Sequence, residues 1–547
     1  DVIQIPKLKM STSPGIPFSF RSDTAKKSDL VDFNPERTKV VGLHPDLVKM
    51  LATEEQMMRE GIVPFTIYQI ALKDERLQWL KRENVRIIQG SPLSLTIATR
   101  QYLMDFNYAF QCSREQLEHR VGINPDSDEW NALALKLLAK GNYICVGDYS
   151  KYGPRLLTEF VEMAYDLMND WYDLHGAPKG DHDVRNILKK RVVNSKNMAG
   201  AQIFTLNCGS PSGATNTVVI NSMCNQMYIR CAWIGIMREL SPAHVGLHHF
   251  TKNVEFVCYG DDVIFSVTKE FINLFNNQTL HQYFARYDVK YTDVRKDGSI
   301  RPFCSITEAT FLKNGFKWYG ETSLPGGVWI VQPNIEDVLD TTNWIRKPKG
   351  MPEPDELPTA FIEAAHVNCS DSLRKMWFYG REVFNEFKEA QREFWTQFEH
   401  NGRRWVPPSF DFDALQLELG YPLPAGNIEY DFIGGKLDEF KIKYGYAVPD
   451  PQILTQDLKV PDYGYALPDE QNMALKALNL IENSQSEASA AASSQQVNII
   501  IDSPEPESVT SAFNCLRAFR QKKSVDPNSN GLGVRIPLDS TVELANK

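Results

Sequence analysis

The sequence contains no Cys-x-x-Cys pair, and its nine cysteines (112, 145, 208, 224, 231, 258, 304, 369 and 515) are odd in number and irregularly spaced. This argues against a disulfide framework and for reduced thiols in a cytosol-like compartment. No apolar run is long enough to cross a bilayer; the best candidate, Val218 to Met237, is interrupted by Asn221, Asn225, Gln226 and Arg230. The opening residues do not read as a secretory signal, and none is expected. Its first residue is Asp rather than Met, which leads to the expectation of a cleaved product or a fragment. Excess positive charge is also missing, the net charge being −10. Residues 411–547 hold 11 Lys and Arg against 20 Asp and Glu, a balance of −9 that leaves −1 for residues 1–410. Any surface for a polyanion must therefore come from local clustering of positive charge on a near-neutral body.

What is present is a long chain, 547 residues with 42% apolar and 23% charged residues. That suffices for a large core and several subdomains. Tyr143 to Val146 is a short apolar run ending in Gly147-Asp148, which predicts a buried strand with a polar end. Helical spacing follows from Leu156 to Trp171, then a loop from Gly209 to Gly213, then a long helix from about Thr215 to Met237. Val254 to Cys258 and Val263 to Val267 read as strands around Tyr259-Gly260-Asp261-Asp262, a hairpin pattern. The order strand, helix, strand, strand, helix predicts an α+β fold with a small antiparallel sheet backed by helices. Ser370 to Phe398 reads as helical and rich in aromatics. Beyond Tyr444 the texture changes. YGYAVPD (Tyr444 to Asp450) recurs as YGYALPD (Tyr463 to Asp469), Ser484 to Gln496 reads as a Ser/Ala/Gln linker, and Ser503 to Ser508 as disordered.

The chemistry centres on three carboxylates. Magnesium takes hard oxygen ligands and keeps several waters, so a few carboxylates on rigid strands can hold it. Asp148 closes one strand, and Asp261 and Asp262 sit at the tip of a hairpin. On its own, Gly-Asp-Asp reads first as a mere hairpin turn, because the tripeptide is common turn chemistry. The context adds Ser212-Gly213, a glycine turn feeding a helix that carries Thr217 and Asn221, four residues apart on one face. Such a face can hydrogen-bond a sugar.

At these residues the sequence resembles the RNA-dependent RNA polymerases of picorna-like viruses, the picornavirus, iflavirus and dicistrovirus relatives. STSPGIPF (Ser11 to Phe18) is similar to the family's segment at the mouth of the template channel. KDER (Lys73 to Arg76), Lys81 and VRII (Val85 to Ile88) resemble the basic fingers motif. GDYSKYG (Gly147 to Gly153) resembles the first palm motif, SGATNTVVIN (Ser212 to Asn221) the S-G-x3-T-x3-N motif, and YGDD (Tyr259 to Asp262) the polymerase signature. YTDVRK (Tyr291 to Lys296) resembles the segment with a general-acid lysine, and FLK (Phe311 to Lys313) the primer-grip hairpin. Seven motifs in order make the match specific.

The resemblance implies a right-hand fold. Fingers are expected at 1–140 and 166–204, palm at 141–165 and 205–325, and a helical thumb at 326–440. Residues 441–547 are expected to form an acidic extension with a disordered linker. It implies template-directed nucleotidyl transfer from NTPs by a two-metal mechanism, replicating a positive-strand RNA genome. Asp148, Asp261 and Asp262 would hold magnesium, with manganese as an alternative. Lys296 would protonate the leaving pyrophosphate, with Lys290 and Arg295 as nearby alternatives. Lys73, Arg76, Lys81, Arg86, Ser212, Gly213, Thr217 and Asn221 would bind NTP, and Ser13, Pro14, Gly15, Phe311, Leu312 and Lys313 would bind RNA. Template, primer, NTPs, a protein primer and other replication proteins are the implied partners, and membrane-associated replication complexes in the host cytoplasm the implied location. Only about ten residues precede the first motif where relatives have more, so an N-terminally truncated polyprotein segment with a weakened fingers–thumb bridge is expected. Two rivals stand beside this reading: a reverse transcriptase, which shares a Y-x-D-D hairpin, and a non-catalytic RNA-binding palm scaffold. His244, His248 and His249 have spacing that could bind zinc on a helix. Gly246 lies between the first two, no Glu follows the first, and no suitably placed Cys accompanies them, so they read as a polar loop. Cys258 reads as a small buried hydrophobe. The sequence departs from the family at Gly153, where many relatives carry a second aspartate; the ribose is then expected to be read by Asn221, with Ser212 and Thr217 or a backbone group near Gly153 as alternatives, unless Gly153 only shapes the Gly-Pro turn.

Overall fold

Four antiparallel strands form the central sheet, in the order Tyr291–Asp293, Ile144–Tyr149, Asp262–Val267 and Val254–Tyr259. The structure is a computed structural model. It describes residues 8–36, 40–73, 75, 85–296, 298–320, 327–343, 345 and 358–419, with a two-residue strand Arg535–Ile536. The central strands are apolar on both faces because both are covered, and side chains alternate between them. Cys145, Tyr149, Phe256, Cys258, Val263 and Phe265 pack into an upper core with the helices Thr158–Leu174 and Thr217–Leu240. Ile144, Val146, Val257 and Ile264 pack into a lower core with Trp130, Leu133 and Leu137 of the helix Glu129–Leu138.

The 24-residue helix Thr217–Leu240 is buried on most sides, with Ile220, Cys224 and Trp233 fully so. A helix apolar all round belongs in a core, and its polar exceptions therefore need partners. A second sheet lies earlier in the chain, in the order Gln202–Thr205, Lys196–Ala199, Ile67–Leu72, Ile87–Gly90, with Arg535–Ile536 paired beside Gln202–Thr205. Towards the C-terminus, a three-stranded sheet (Thr310–Phe311, Asn314–Tyr319, Val328–Gln332) meets the helices Thr359–Met376, Arg381–Gln397 and Phe412–Glu418 around Trp377, Phe378 and Phe384.

Three expectations shift. The first strand runs Ile144–Tyr149, one residue past the Asp148 expected to close it. The segment expected to be helical from Ser370 to Phe398 is two helices, because Gly380 adopts φ +100° between them, a conformation that favours glycine. The long helix begins at Thr217, two residues later than expected, after a turn closed by Ala214 N–H on Pro211 O. All eight cysteines among the described residues are free thiols. Cys258 is fully buried, which pushes its thiol pKa upward. No helix among the described residues is long and apolar enough to cross a membrane. The tyrosine repeats and the linker lie outside the described residues.

Candidate active site

The hairpin that carries two of the carboxylates turns in two residues. Tyr259 pairs with Asp262, and Gly260 takes φ +64° at the first central position. A left-handed first residue is the type II′ pattern, which suits strand twist and favours glycine. The neighbouring strand is in register with Gly147 opposite Val263. Continuing that register by one residue sets Asp148 opposite Asp262, so the carboxylates gather at one end of the sheet. Solvent reaches Asp261, yet the surrounding protein crowds out enough water to raise its carboxyl above the usual range. Asp148 adds to that rise, while Arg86 and Lys296 oppose it. Burial, then Asp261 and Asp148, push Asp262 up to about 6, against Lys296 and Lys313. Like charges crowded in a partly dry site disfavour one another's ionisation.

Lys296 joins the cluster, its Nζ 2.7 Å from Asp148 Oδ2, with φ +54° at its own backbone. Arg295 is engaged elsewhere. Its Nε donates to the buried Asp293 at 3.1 Å, and Arg301 approaches the same carboxylate. Among the described residues, no three His, Cys, Asp or Glu side chains are gathered tightly enough to cage a metal ion alone. Magnesium does not require a cage. It is commonly held by one or two carboxylates with water and substrate phosphates completing its shell. The all-oxygen donor set and the raised carboxyls of Asp261 and Asp262, which a cation would relieve, fit that ion.

The helix Thr217–Leu240 lies over the hairpin. Asn221 is half-buried beside the Gly260 turn, and its Oδ1 has no hydrogen-bond partner. Tyr152 donates its hydroxyl to the Asn221 carbonyl at 2.9 Å. The Thr217 hydroxyl is turned back to its own loop, donating to Pro211 O and Ala214 O at 2.9 and 2.7 Å. Ser212 and Gly213 dock on the strand Ile87–Gly90. Ser212 Oγ accepts from Gln89 N–H at 3.0 Å, and a Cβ at Gly213 would fall 2.1 Å from Gln89 O. A Cβ at Gly153 would meet nothing within 4 Å. Two residues not anticipated as functional, Ser222 and Asn225, hydrogen-bond the backbone of the Gly260 hairpin. The available signal was a polar residue at i and i+3 inside an otherwise apolar helix.

Of the basic residues, Lys73 and Arg86 share Glu75, at 3.3 Å from Lys73 Nζ and in a close pair with Arg86. The Arg86 side chain lowers Glu75 to about 2 against a smaller opposing effect of burial. Arg86 is also within electrostatic reach of Asp261. Arg76 and Lys81 lie outside the described residues. Pro14 and Gly15 are buried where Pro14 O accepts from Leu93 N–H at 2.8 Å, and Ser13 is exposed. Leu312 and Lys313 form a two-residue turn with φ +52° and +64°. Phe311 is buried against Trp130 and Phe316 in the lower core, so what the hairpin offers to solvent is Lys313. His244, His248 and His249 pack against one another, with ring centroids 4.8 Å (His244–His249) and 4.0 Å (His248–His249) apart.

A small antiparallel sheet with carboxylates at one end, backed by helices and flanked by a second sheet and a helical C-terminal region, is the architecture of a right-hand polymerase. A Sicinivirus 3Dpol RNA-dependent RNA polymerase superposes with a TM-score of 0.57 at 18% identity, over 75% of this chain and 77% of that one. The sequence profile described as "Viral RNA-dependent RNA polymerase" matches residues 2–377. The chain belongs to that family. The genome polyprotein of deformed wing virus is 31% identical over 390 residues, which are 69% of this chain and 13% of that protein. The replicase polyprotein of cricket paralysis virus is 25% identical over 340 residues, 60% of this chain and 18% of the relative. The chain thus spans less than a fifth of these relatives, which are picorna-like polyproteins.

Proposed function

We propose that the chain extends an RNA primer on an RNA template, joining NTPs with release of pyrophosphate in replication of a positive-strand genome. The observation that carries this is the gathering of Asp148, Asp261 and Asp262 at one end of adjacent strands. Asp148 and Asp261 would be the principal ligands of magnesium or manganese, with Asp262 assisting. When bound, the ions would activate the primer 3′ oxygen and neutralise charge on the triphosphate. Arg86 and Lys73, with Arg76 and Lys81, would draw the triphosphate by charge. Asn221 would offer its unpartnered Oδ1 to the ribose 2′-hydroxyl. Lys296 would give a proton to the leaving pyrophosphate, released from Asp148 as substrate arrives. Ser13 and Lys313 would contact RNA, their neighbours Pro14, Gly15, Phe311 and Leu312 holding them in place.

The division into fingers (1–140, 166–204), palm (141–165, 205–325) and thumb (326–440) is part of this reading, as is work at membrane-associated complexes in the host cytoplasm. The test is extension of a primed RNA template with magnesium and each nucleotide type. Metal-dependent growth with UTP and little with dUTP is expected. RNA binding without extension would favour the scaffold, and preference for dNTPs a reverse transcriptase.

A further inference from the structure

Ser222 and Asn225 are each fully buried within the helix Thr217–Leu240, between Ile220, Met223 and Cys224. Neither polar group is spent on packing. Ser222 Oγ accepts from Gly260 N–H at 2.8 Å and donates to Val218 O at 2.8 Å. Asn225 Nδ2 donates to Gly260 O at 3.0 Å and reaches Asp261 O at 3.4 Å. Asn225 Oδ1 accepts from the Tyr149 hydroxyl at 3.2 Å. Tyr149 directly follows Asp148 on the adjoining strand.

A two-residue hairpin turn commonly leaves its peptide groups to water. Here the helix takes them instead. One serine and one amide hold the turn that carries Asp261, and that amide is tied through Tyr149 to the strand that carries Asp148. Asn221 immediately precedes Ser222 on the same rigid helix, so a group suited to a sugar and the grip on the turn are fixed relative to each other.

We infer that Ser222 and Asn225 are positioning residues that set the Gly260–Asp261 turn against the Thr217–Leu240 helix, and so hold the Asp261 and Asp148 carboxylates at the spacing a divalent ion needs. This rests on the polymerase reading for its kinetic consequence, though not for its effect on ion binding. Neither residue touches substrate. A displacement of about 1 Å at a reacting centre can cost about 10²-fold in rate, and removing a buried partner leaves the turn's peptide groups unmet.

The test uses the full chain with Ser222→Ala, Asn225→Ala and the hydroxyl-retaining Ser222→Thr. Three quantities are measured: Mn²⁺ affinity by water-proton relaxation, kcat and KM for UTP in single-nucleotide extension, and thermal midpoint. Ser222→Ala and Asn225→Ala are expected to weaken Mn²⁺ binding about 3- to 10-fold. They should lower kcat about 10- to 100-fold, with KM for UTP within about 3-fold, and Ser222→Thr should recover most of the loss. Unchanged Mn²⁺ affinity and kcat in folded Asn225→Ala and Ser222→Ala would overturn the inference. So would a loss that Ser222→Thr shares in full. Wild-type protein that binds Mn²⁺ but extends no primer would overturn the polymerase reading alone, and the Mn²⁺ comparison would still decide the positioning.

Discussion

Two glycines near the proposed nucleotide site should respond to alanine in opposite ways. At Gly213 a Cβ would sit 2.1 Å from Gln89 O, 3.0 Å from Gln89 C and 3.2 Å from Gly90 Cα, all backbone. Nothing there can rotate aside, so the loop must lift from the strand Ile87–Gly90. Lifting it breaks the Gln89 N–H to Ser212 Oγ bond at 3.0 Å, the Ser212 N–H to Gln89 Oε1 bond at 3.3 Å and the Ser91 Oγ to Gly213 O bond at 3.1 Å. Overpacking of this kind costs about 1–3 kcal/mol, and each lost hydrogen bond about 0.5–1.5 kcal/mol net. A shift of about 3 kcal/mol against the docked loop corresponds to roughly a 10²-fold fall in kcat/KM, at about 1.4 kcal/mol per tenfold. At Gly153 a Cβ meets open space and φ is not positive. Gly153→Ala should therefore keep kcat/KM within about 3-fold and gain up to about 1 kcal/mol of stability from the less flexible unfolded chain. Single-nucleotide extension and thermal unfolding of both variants decide the matter. Wild-type activity in Gly213→Ala, or equal losses in the two, would refute the docking of this loop as the reason for its glycine.

Phe311→Ala should cost about 3–5 kcal/mol in denaturant unfolding, because it empties a site among Trp130 and Phe316 in the lower core. Lys313→Ala at the same hairpin should leave stability within about 0.5 kcal/mol. Asn221→Ala should reduce discrimination of UTP from dUTP by about 1–3 kcal/mol, the cost of one unmet buried hydrogen bond; an unchanged ratio would place sugar reading elsewhere. His119 is buried against Phe110, which lowers its pKa to about 3, with Arg120 adding to the effect. Its folded pKa lies below its unfolded value of about 6.5, so the unfolded chain takes up the proton first. Stability should fall as pH drops from about 6.5 towards 3, by at most about 1.4 kcal/mol per pH unit from this group. His119→Phe should flatten that slope, and an identical slope in the two proteins would show that His119 is not its source.

The palm strands, the tip at Gly260 and the long helix were legible because alternation, a glycine turn and an apolar helical run are local signals. The break at Gly380 was not, since aromatic helical spacing continues across it and only the φ of one glycine interrupts the run. The three carboxylates were legible from their places at strand ends. Their electrostatic coupling depends on strand order, which periodicity does not encode. Ser212, Gly213 and Thr217 were recognisable as a motif, but the direction of their side chains was not. Two of them serve the dock on Gln89 and one serves its own helix start. Phe311 shows the same limit: standing two residues from an exposed lysine says little about burial when the chain begins to reverse between them. Asn225 was visible as one of the polar residues that interrupt an apolar run, whereas the small Ser222 did not stand out from it. Their partners on the hairpin are 38 and 35 residues away, beyond any local pattern.

The central claim is that the carboxylates at the end of this sheet perform metal-dependent nucleotidyl transfer. Asp261→Asn tests it most directly, since the change removes one charge while keeping the shape of the side chain. Primer extension should be measured with magnesium and with manganese, beside RNA affinity by fluorescence anisotropy at fixed salt. A loss of at least about 10³-fold in elongation with RNA affinity unchanged is the predicted result. Elongation at the wild-type rate would contradict it.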